Sequence, residues 1–179
     1  DFAHKHDLKI HLHVSETAKE VEDCLNKNGC RPVHYLDSLG LLGPNLIACH
    51  AIWLSADEMD VLAEKGVTVV HNPVSNLKLG SGIFPYKALQ ERGVRIVLGT
   101  DGCSSNNNLD MLETMKFASL LAKGSASNPT LFPAPQAFAA ATAQAAAAFG
   151  IDCGGIAKGR LADCLLIDLQ HPQLTPNHN

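Results

Sequence analysis

Four short apolar runs, each followed by a segment rich in helix formers, constrain this chain more than any other feature of its sequence. They are residues 8–13 (LKIHLH), 45–50 (NLIACH), 67–71 (VTVVH) and 94–98 (VRIVL). Strands that read as nearly continuous apolar runs, with helices between them, predict an α/β protein whose parallel sheet is covered on both faces. The helix signals fall in the gaps. Residues 17–27 are rich in helix formers and stop at Gly29, and Ser55 is placed as an N-cap with Glu58 three residues on, before a helix that runs to Lys65 and Gly66. A short helix over 86–91 ends near Gly93, a longer one covers 109–123, and an Ala-rich one covers 135–149 with Gly150 as its stop. In the Ala-rich helix, Phe138, Thr142 and Ala145 mark one packing face. Residues 72–82 read as a long irregular loop, and such loops in compact domains are often functional.

Three of the four runs end on histidine, at His13, His50 and His71, and the fourth passes through Gly99 and Thr100 into Asp101. In parallel α/β folds the loops leave the C-terminal ends of the strands open above a packed core, so side chains there collect into sites. Imidazole and carboxylate are metal ligands and proton carriers, and their recurrence at equivalent places points to one site. Glu16 lies three residues past His13. It can take a proton from a water on a metal held by His13, or it can simply complement a helix dipole as a first-turn acid. His11 shares a strand face with His13 and lies about 7 Å deeper, which suits a hydrogen-bonded supporting role.

Composition narrows the partners. The chain has 179 residues and a formal net charge of -4 with no basic run, which argues against nucleic acid and anionic lipid as partners and for small molecules. Hydrophobic residues make up 46%, and no apolar run approaches the roughly 18 residues needed to span a bilayer. Six cysteines are scattered without a Cys-x-x-Cys pair, so each is expected to be a small buried or half-buried residue rather than half of a disulfide or part of a zinc ribbon. The opening residues carry neither a basic nor an apolar signal region. A reduced, cytoplasmic setting is the expectation.

The ordered set His13-Val14-Ser15-Glu16-Thr17, Cys49-His50, residues 71–79 (HNPVSNLKL) and Gly99-Thr100-Asp101-Gly102 resembles the later half of an amidohydrolase-superfamily enzyme. Within that superfamily, residues 104–111 (SSNNNLDM) look most like the 5-methylthioadenosine/S-adenosylhomocysteine deaminases. The resemblance implies that residues 1–158 are strands five to eight of a (β/α)8 barrel, and that 159–179 begin with a strand returning to a small β-sandwich domain. It implies one divalent metal, usually zinc, with iron or manganese as alternatives, held here by His13 and Asp101. Asp101 would also accept a proton from the attacking water, Glu16 would protonate the purine ring, and His50 would orient the water or the intermediate. Glu16 and His50 would thus both face the substrate, with His71 and the loop after it in a second layer that also faces the substrate. The implied reaction is hydrolytic deamination of an adenine nucleoside. Other amino-heterocycles, such as guanine, and chlorinated triazines are the alternatives within the same chemistry. The family takes two further ligands from a His-x-His pair on strand one; His11-Leu12-His13 has that spacing, but Glu16 after it identifies it as the strand-five motif, so the strand-one pair is not among these residues. That implies either a portion of a much longer chain, assembled as a homo-oligomer, or a non-catalytic half-barrel that needs a complementing chain.

Overall fold

The computed structural model describes residues 2–176. Ile10–Val14 (β1), Leu46–His50 (β2), Thr68–His71 (β3) and Arg95–Leu98 (β4) form one parallel sheet in the order β1-β2-β3-β4. Phe2–Lys5 (α1) precedes β1, and Ala18–Asn28 (α2) and Pro32–Ser38 (α3) follow it. Ala56–Glu64 (α4) links β2 to β3, and Pro73–Lys78 (α5) with Tyr86–Glu91 (α6) links β3 to β4. Beyond β4 come Cys103–Asn106 (α7), Met111–Ala126 (α8), Ala134–Ala141 (α9) and Ala143–Phe149 (α10).

Sequential strand order decides which face is covered. Every crossover advances one strand in the same direction, and right-handed crossovers then set their helices on the same side. That side holds the main core, where Val14, Leu46, Ala48, Val69, Ile96 and Leu98 meet Leu62 of α4, Leu89 of α6 and Ala118 of α8. The opposite face carries a small cluster of Ile47, Cys49, Val70 and Val97 under Ala148 of α10, and His11 and His13 on it are exposed. The expectation of a sheet covered on both faces is therefore corrected: the main core covers one face, and the other is largely open along β1.

Local signals formed as the sequence dictates at the ends of α2, α4 and α10. Ser55 Oγ accepts from the Glu58 backbone N–H while the Glu58 carboxylate accepts from the Ser55 N–H, at 2.9 Å. Glu58 is fully buried and also accepts from Arg31 Nε at 2.7 Å and from the Val33 N–H at 3.1 Å, so one carboxylate fastens α3 to the start of α4. A charge so buried is stable only with its partners in place. Gly29 closes α2 with φ +74°, a conformation glycine reaches without strain.

Three departures have physical reasons. The loop expected at 72–82 contains α5, because Pro73 occupies the first helical position, where its missing N–H costs nothing. The Ala-rich helix breaks at Thr142, whose hydroxyl donates to the Phe138 carbonyl at 2.7 Å, a back-bond that bends helices. Its buried residues are Ala137, Ala140, Ala146 and Ala148, and Phe138 is 59% exposed rather than on the packing face. Residues 159–168 carry no strand and lie exposed, since a lone strand without a sheet to join gains no ladder. All six cysteines are free, with Cys49 buried, Cys24, Cys30 and Cys153 half-buried, and Cys103 and Cys164 exposed, contrary to expectation for the last two.

Replacing Ser55 with Ala removes the α4 cap and should lower stability by about 1 kcal/mol. The check is a urea titration, in which the midpoint falls and the slope stays constant.

Candidate functional site

Parallel pairing brings the strand ends to one rim. His13 is in register with Cys49, Val14 with His50, Cys49 with Val70, and His71 with Leu98. Where the chain leaves this rim it adopts left-handed backbone at non-glycine residues, at Ser15 (φ +51°), His50 (φ +70°), Ala51 (φ +47°) and Asp101 (φ +60°). Such residues each cost on the order of 1–3 kcal/mol and persist only where the surroundings hold them. At His50 the consequence is direct. Strand alternation would send its side chain to the helix-covered face beside Val14, but the turn over 50–51 interrupts the pleat, and the ring lies 5.2 Å from the His13 ring.

Glu16 stands beside this pair. Its Oε2 is 3.7 Å from His50 Nε2, and its Oε1 accepts from the Ser81 hydroxyl at 3.0 Å. The turn that aims it is clamped by Glu20, whose two carboxylate oxygens accept from the Ser15 and Glu16 N–H groups at 2.7 Å each. The Ser15 carbonyl in turn accepts from the Ile52 and Trp53 N–H groups, and the Trp53 indole donates to the Ser81 carbonyl at 2.6 Å. Gly82 must be glycine for this approach: at φ +133°, a Cβ there would meet Ile52 Cγ2 at 2.9 Å and Trp53 Nε1 at 3.1 Å. The loops after β1, β2 and β3 are thus joined around one carboxylate.

On the far side of the rim, Asp101 accepts from the Ser75 hydroxyl at 2.7 Å and from the Gly102 N–H at 2.9 Å. Partial burial pushes its carboxyl up, but Ser75, Gly102, Ser105 and nearby His50 together hold it below the ordinary carboxylate range. Lys78 donates to the Ser104 carbonyl and to Asn107 Oδ1, tying α5 to the loop that follows Asp101. Beneath, Gly99 lets β4 lie against β3. A Cβ there would stand 2.5 Å from Asn72 Oδ1 and 2.8 Å from Val70 Cγ1.

His50 completes the connection. It is 1% exposed, and its Nδ1 lies 2.8 Å from Oδ1 of buried Asn76. His71 is equally buried but stacks on Phe84 at 4.2 Å, on the helix-covered side, so it packs behind the site rather than toward a substrate. Burial, with a smaller contribution from the His50 charge, pushes its imidazole down to about 3. His11 is hydrogen-bonded as expected, with Nε2 3.1 Å from Cys49 Sγ, although the residue is exposed. Burial, then the Asp101 charge, pushes the Cys49 thiol up to about 12, so it stays protonated and is a poor ligand or nucleophile.

The fit to a metal is partial. His13 is exposed and, among the described residues, touches the His50 ring without making a hydrogen bond, so its nitrogens are available. Asp101 offers an ionised carboxylate. Among the described residues no group of three or more His, Cys, Asp or Glu side chains could hold a metal ion, and catalytic zinc takes about three protein ligands. His13 and Asp101 offer donors of the kinds a zinc ion takes, but the described residues do not make up a complete catalytic set.

Glu20, Ser75, Asn76 and Ser81 were not singled out by sequence reasoning. Glu20 carried a legible signal, since Thr17 to Glu20 has capping-box spacing, and Thr17 Oγ1 does accept from the Glu20 N–H at 3.1 Å. The carboxylate, however, reaches past the N-cap to Ser15 and Glu16. The other three lie in the stretch 72–82, whose polar composition marked it without indicating which side chains turn inward.

The amidohydrolase family matches over residues 1–179. A 5'-deoxyadenosine deaminase of Methanothermobacter thermautotrophicus is 52% identical over 177 residues, covering 99% of this chain and 42% of that protein. A 5-methylthioadenosine/S-adenosylhomocysteine deaminase of Archaeoglobus fulgidus is 48% identical over 180 residues, 100% of this chain and 43% of its own length. Among solved structures, an adenosine deaminase from Xanthomonas campestris with bound zinc superposes with a TM-score of 0.93 at 43% identity, covering 99% of this chain and 41% of that one. The chain therefore spans about two fifths of the length of the proteins it resembles.

Two outcomes follow from the geometry. Gly99→Ala should cost about 1–3 kcal/mol through overpacking against Asn72 and Val70, read as a lowered denaturation midpoint. His71 is held neutral in the folded state, so the unfolded chain binds one more proton than the folded one between pH 6.5 and about 3. Stability should fall by up to about 1.4 kcal/mol per pH unit as the pH drops through that window, and His71→Phe should remove that slope in a pH series of unfolding curves.

Proposed function

The chain belongs to the amidohydrolase family, and on that premise we propose that it forms the later half of a metal-dependent (β/α)8 barrel that hydrolytically deaminates an adenine nucleoside altered at its 5' position. Residues 1–158 would supply strands five to eight, and 159–179 would lead into a small sandwich domain. The observation that carries the reading is the convergence of Glu16, His50, His13 and Asp101 on one rim, held there by strained turns and dedicated hydrogen bonds. The open sheet face and the free strand edges fit a structure completed by further barrel strands. Relatives at about half identity named for 5'-deoxyadenosine and for methylthioadenosine or S-adenosylhomocysteine support the substrate class.

His13 and Asp101 would hold the metal, which when bound lowers the pKa of a water to about 7 and so supplies a hydroxide nucleophile at neutral pH. Asp101 is the natural first acceptor for that water's proton, because Ser75 and Gly102 already fix its carboxylate in the ionised form. In the net reaction the water oxygen bonds to the amino-bearing ring carbon, the carbon–nitrogen bond breaks, and ammonia leaves. Glu16 moves protons to the ring nitrogen and the departing nitrogen. Its hydrogen bond from Ser81 and the Glu20 clamp orient it for this, and among the described residues no lysine or arginine pairs with it to hold the proton off. His50, buried and fixed by Asn76, lies between Glu16 and His13 and orients the reacting groups.

The test is ammonia release by the intact protein that contains these residues, with 5'-deoxyadenosine and methylthioadenosine as substrates. Glu16→Gln should lower kcat about 10²–10⁴-fold while leaving metal content unchanged. Undiminished turnover in that variant would remove Glu16 from the mechanism, and a wild-type protein active only on guanine or a chlorotriazine would replace the substrate assignment.

A further inference from the structure

Two lone-pair groups face each other across the site without a bond between them. Asn76 Oδ1 carries no hydrogen, so its 2.8 Å contact with His50 Nδ1 is a hydrogen bond only if Nδ1 bears the proton. A neutral His50 then presents a bare Nε2. That Nε2 lies 3.7 Å from Glu16 Oε2, which is also an acceptor. Two acceptors at this separation gain nothing from each other and leave a gap suited to a small group with two hydrogens to donate. The arrangement is built in: His50 and Asn76 are both almost fully buried, so water competes poorly for the Nδ1–H. The backbone of Asn76 is pinned, since its N–H donates to the Asn72 carbonyl at 3.0 Å and its main-chain carbonyl accepts from the Ser81 N–H at 2.8 Å, while its side-chain Nδ2 is buried with no partner among the described residues. Ser81 is the residue whose hydroxyl holds Glu16. One short segment thus sets both acceptors.

We propose that Asn76 is a positioning residue that holds His50 in its Nδ1–H tautomer, so that His50 Nε2 and Glu16 Oε2 together accept hydrogen bonds from the two N–H groups of the substrate's amino nitrogen before Glu16 passes that nitrogen the water-derived proton with which it leaves as ammonia. A water has two hydrogens as well, and the choice between them is an arm of the test. The inference rests on the deaminase reading for its substrate and on the geometry alone for the tautomer.

Two measurements on the intact protein separate these. In ¹⁵N NMR at a pH where His50 is neutral, the wild-type ring should show protonated Nδ1 and bare Nε2, as should Asn76→Asp, which keeps the acceptor oxygen. Asn76→Leu should show a mixture of tautomers. A wild-type ring protonated on Nε2 overturns the proposal whether or not the protein has deaminase activity, and it does so even if the Leu variant fails to fold. In kinetics, Asn76→Leu should lower kcat on the amino substrate by about tenfold or more, the effect of one lost or misdirected hydrogen bond, with KM little changed and with substantial recovery in Asn76→Asp. A 6-chloropurine nucleoside, whose leaving group has no N–H, should lose much less. Equal losses on both substrates would show that the pair serves the attacking water and would overturn the leaving-group assignment.

Discussion

The parallel ladder between neighbouring strands is the contact on which the rest of the chain depends. Each strand enters the sheet in the same direction, and the registers His13 to Cys49, Val14 to His50 and His71 to Leu98 align the points where the chain leaves it. Sequential order sends the helices to one side and leaves the other open. Four turns must then fit side by side at one rim, and the residues they hold become neighbours although up to 88 positions separate His13 from Asp101 in the sequence (101 minus 13).

That crowding is met by strained backbone, and the strain is held by side chains that do not themselves suit the chemistry. Ser15, His50, Ala51 and Asp101 each take a left-handed conformation that a glycine would adopt freely. Against this stand the Glu20 carboxylate on two successive N–H groups, the Ser15 carbonyl on two more, and Ser75 with Gly102 on Asp101. Hydrogen bonds to charged groups contribute about 1.5–3 kcal/mol each, enough to offset the strain at Ser15 and Asp101, where the partner or the residue is a carboxylate. Farther out, Glu58 and Arg31 link α3, α4 and the Trp53 carbonyl, so the loop after β2 is fixed from its outer side as well.

What could be read from the sequence followed from short-range rules. The four strands, the Ser55 cap, the Gly29 stop and the rim residues are set by local apolar content, capping chemistry and chain direction. The short helices α3 and α5 were not legible, because a proline at the first helical position looks the same as a proline in a turn until the following residues are placed. The bend at Thr142 depends on a side chain choosing its own backbone carbonyl over solvent. Least legible were the inward side chains of the segment after β3. Asn76 and Ser81 matter through partners 26 and 65 positions away, and no spacing rule within the segment distinguishes them from its other polar residues.

We propose that the rim is one site rather than four adjacent turns, with His13 and Asp101 sharing one metal with other residues of the intact protein. Anomalous diffraction from crystals of the intact protein, collected across the zinc edge, tests this most directly. The expected peak lies about 2.0–2.2 Å from both an imidazole nitrogen of His13 and a carboxylate oxygen of Asp101. A metal bound elsewhere, or bound by one of the two and not the other, would contradict it.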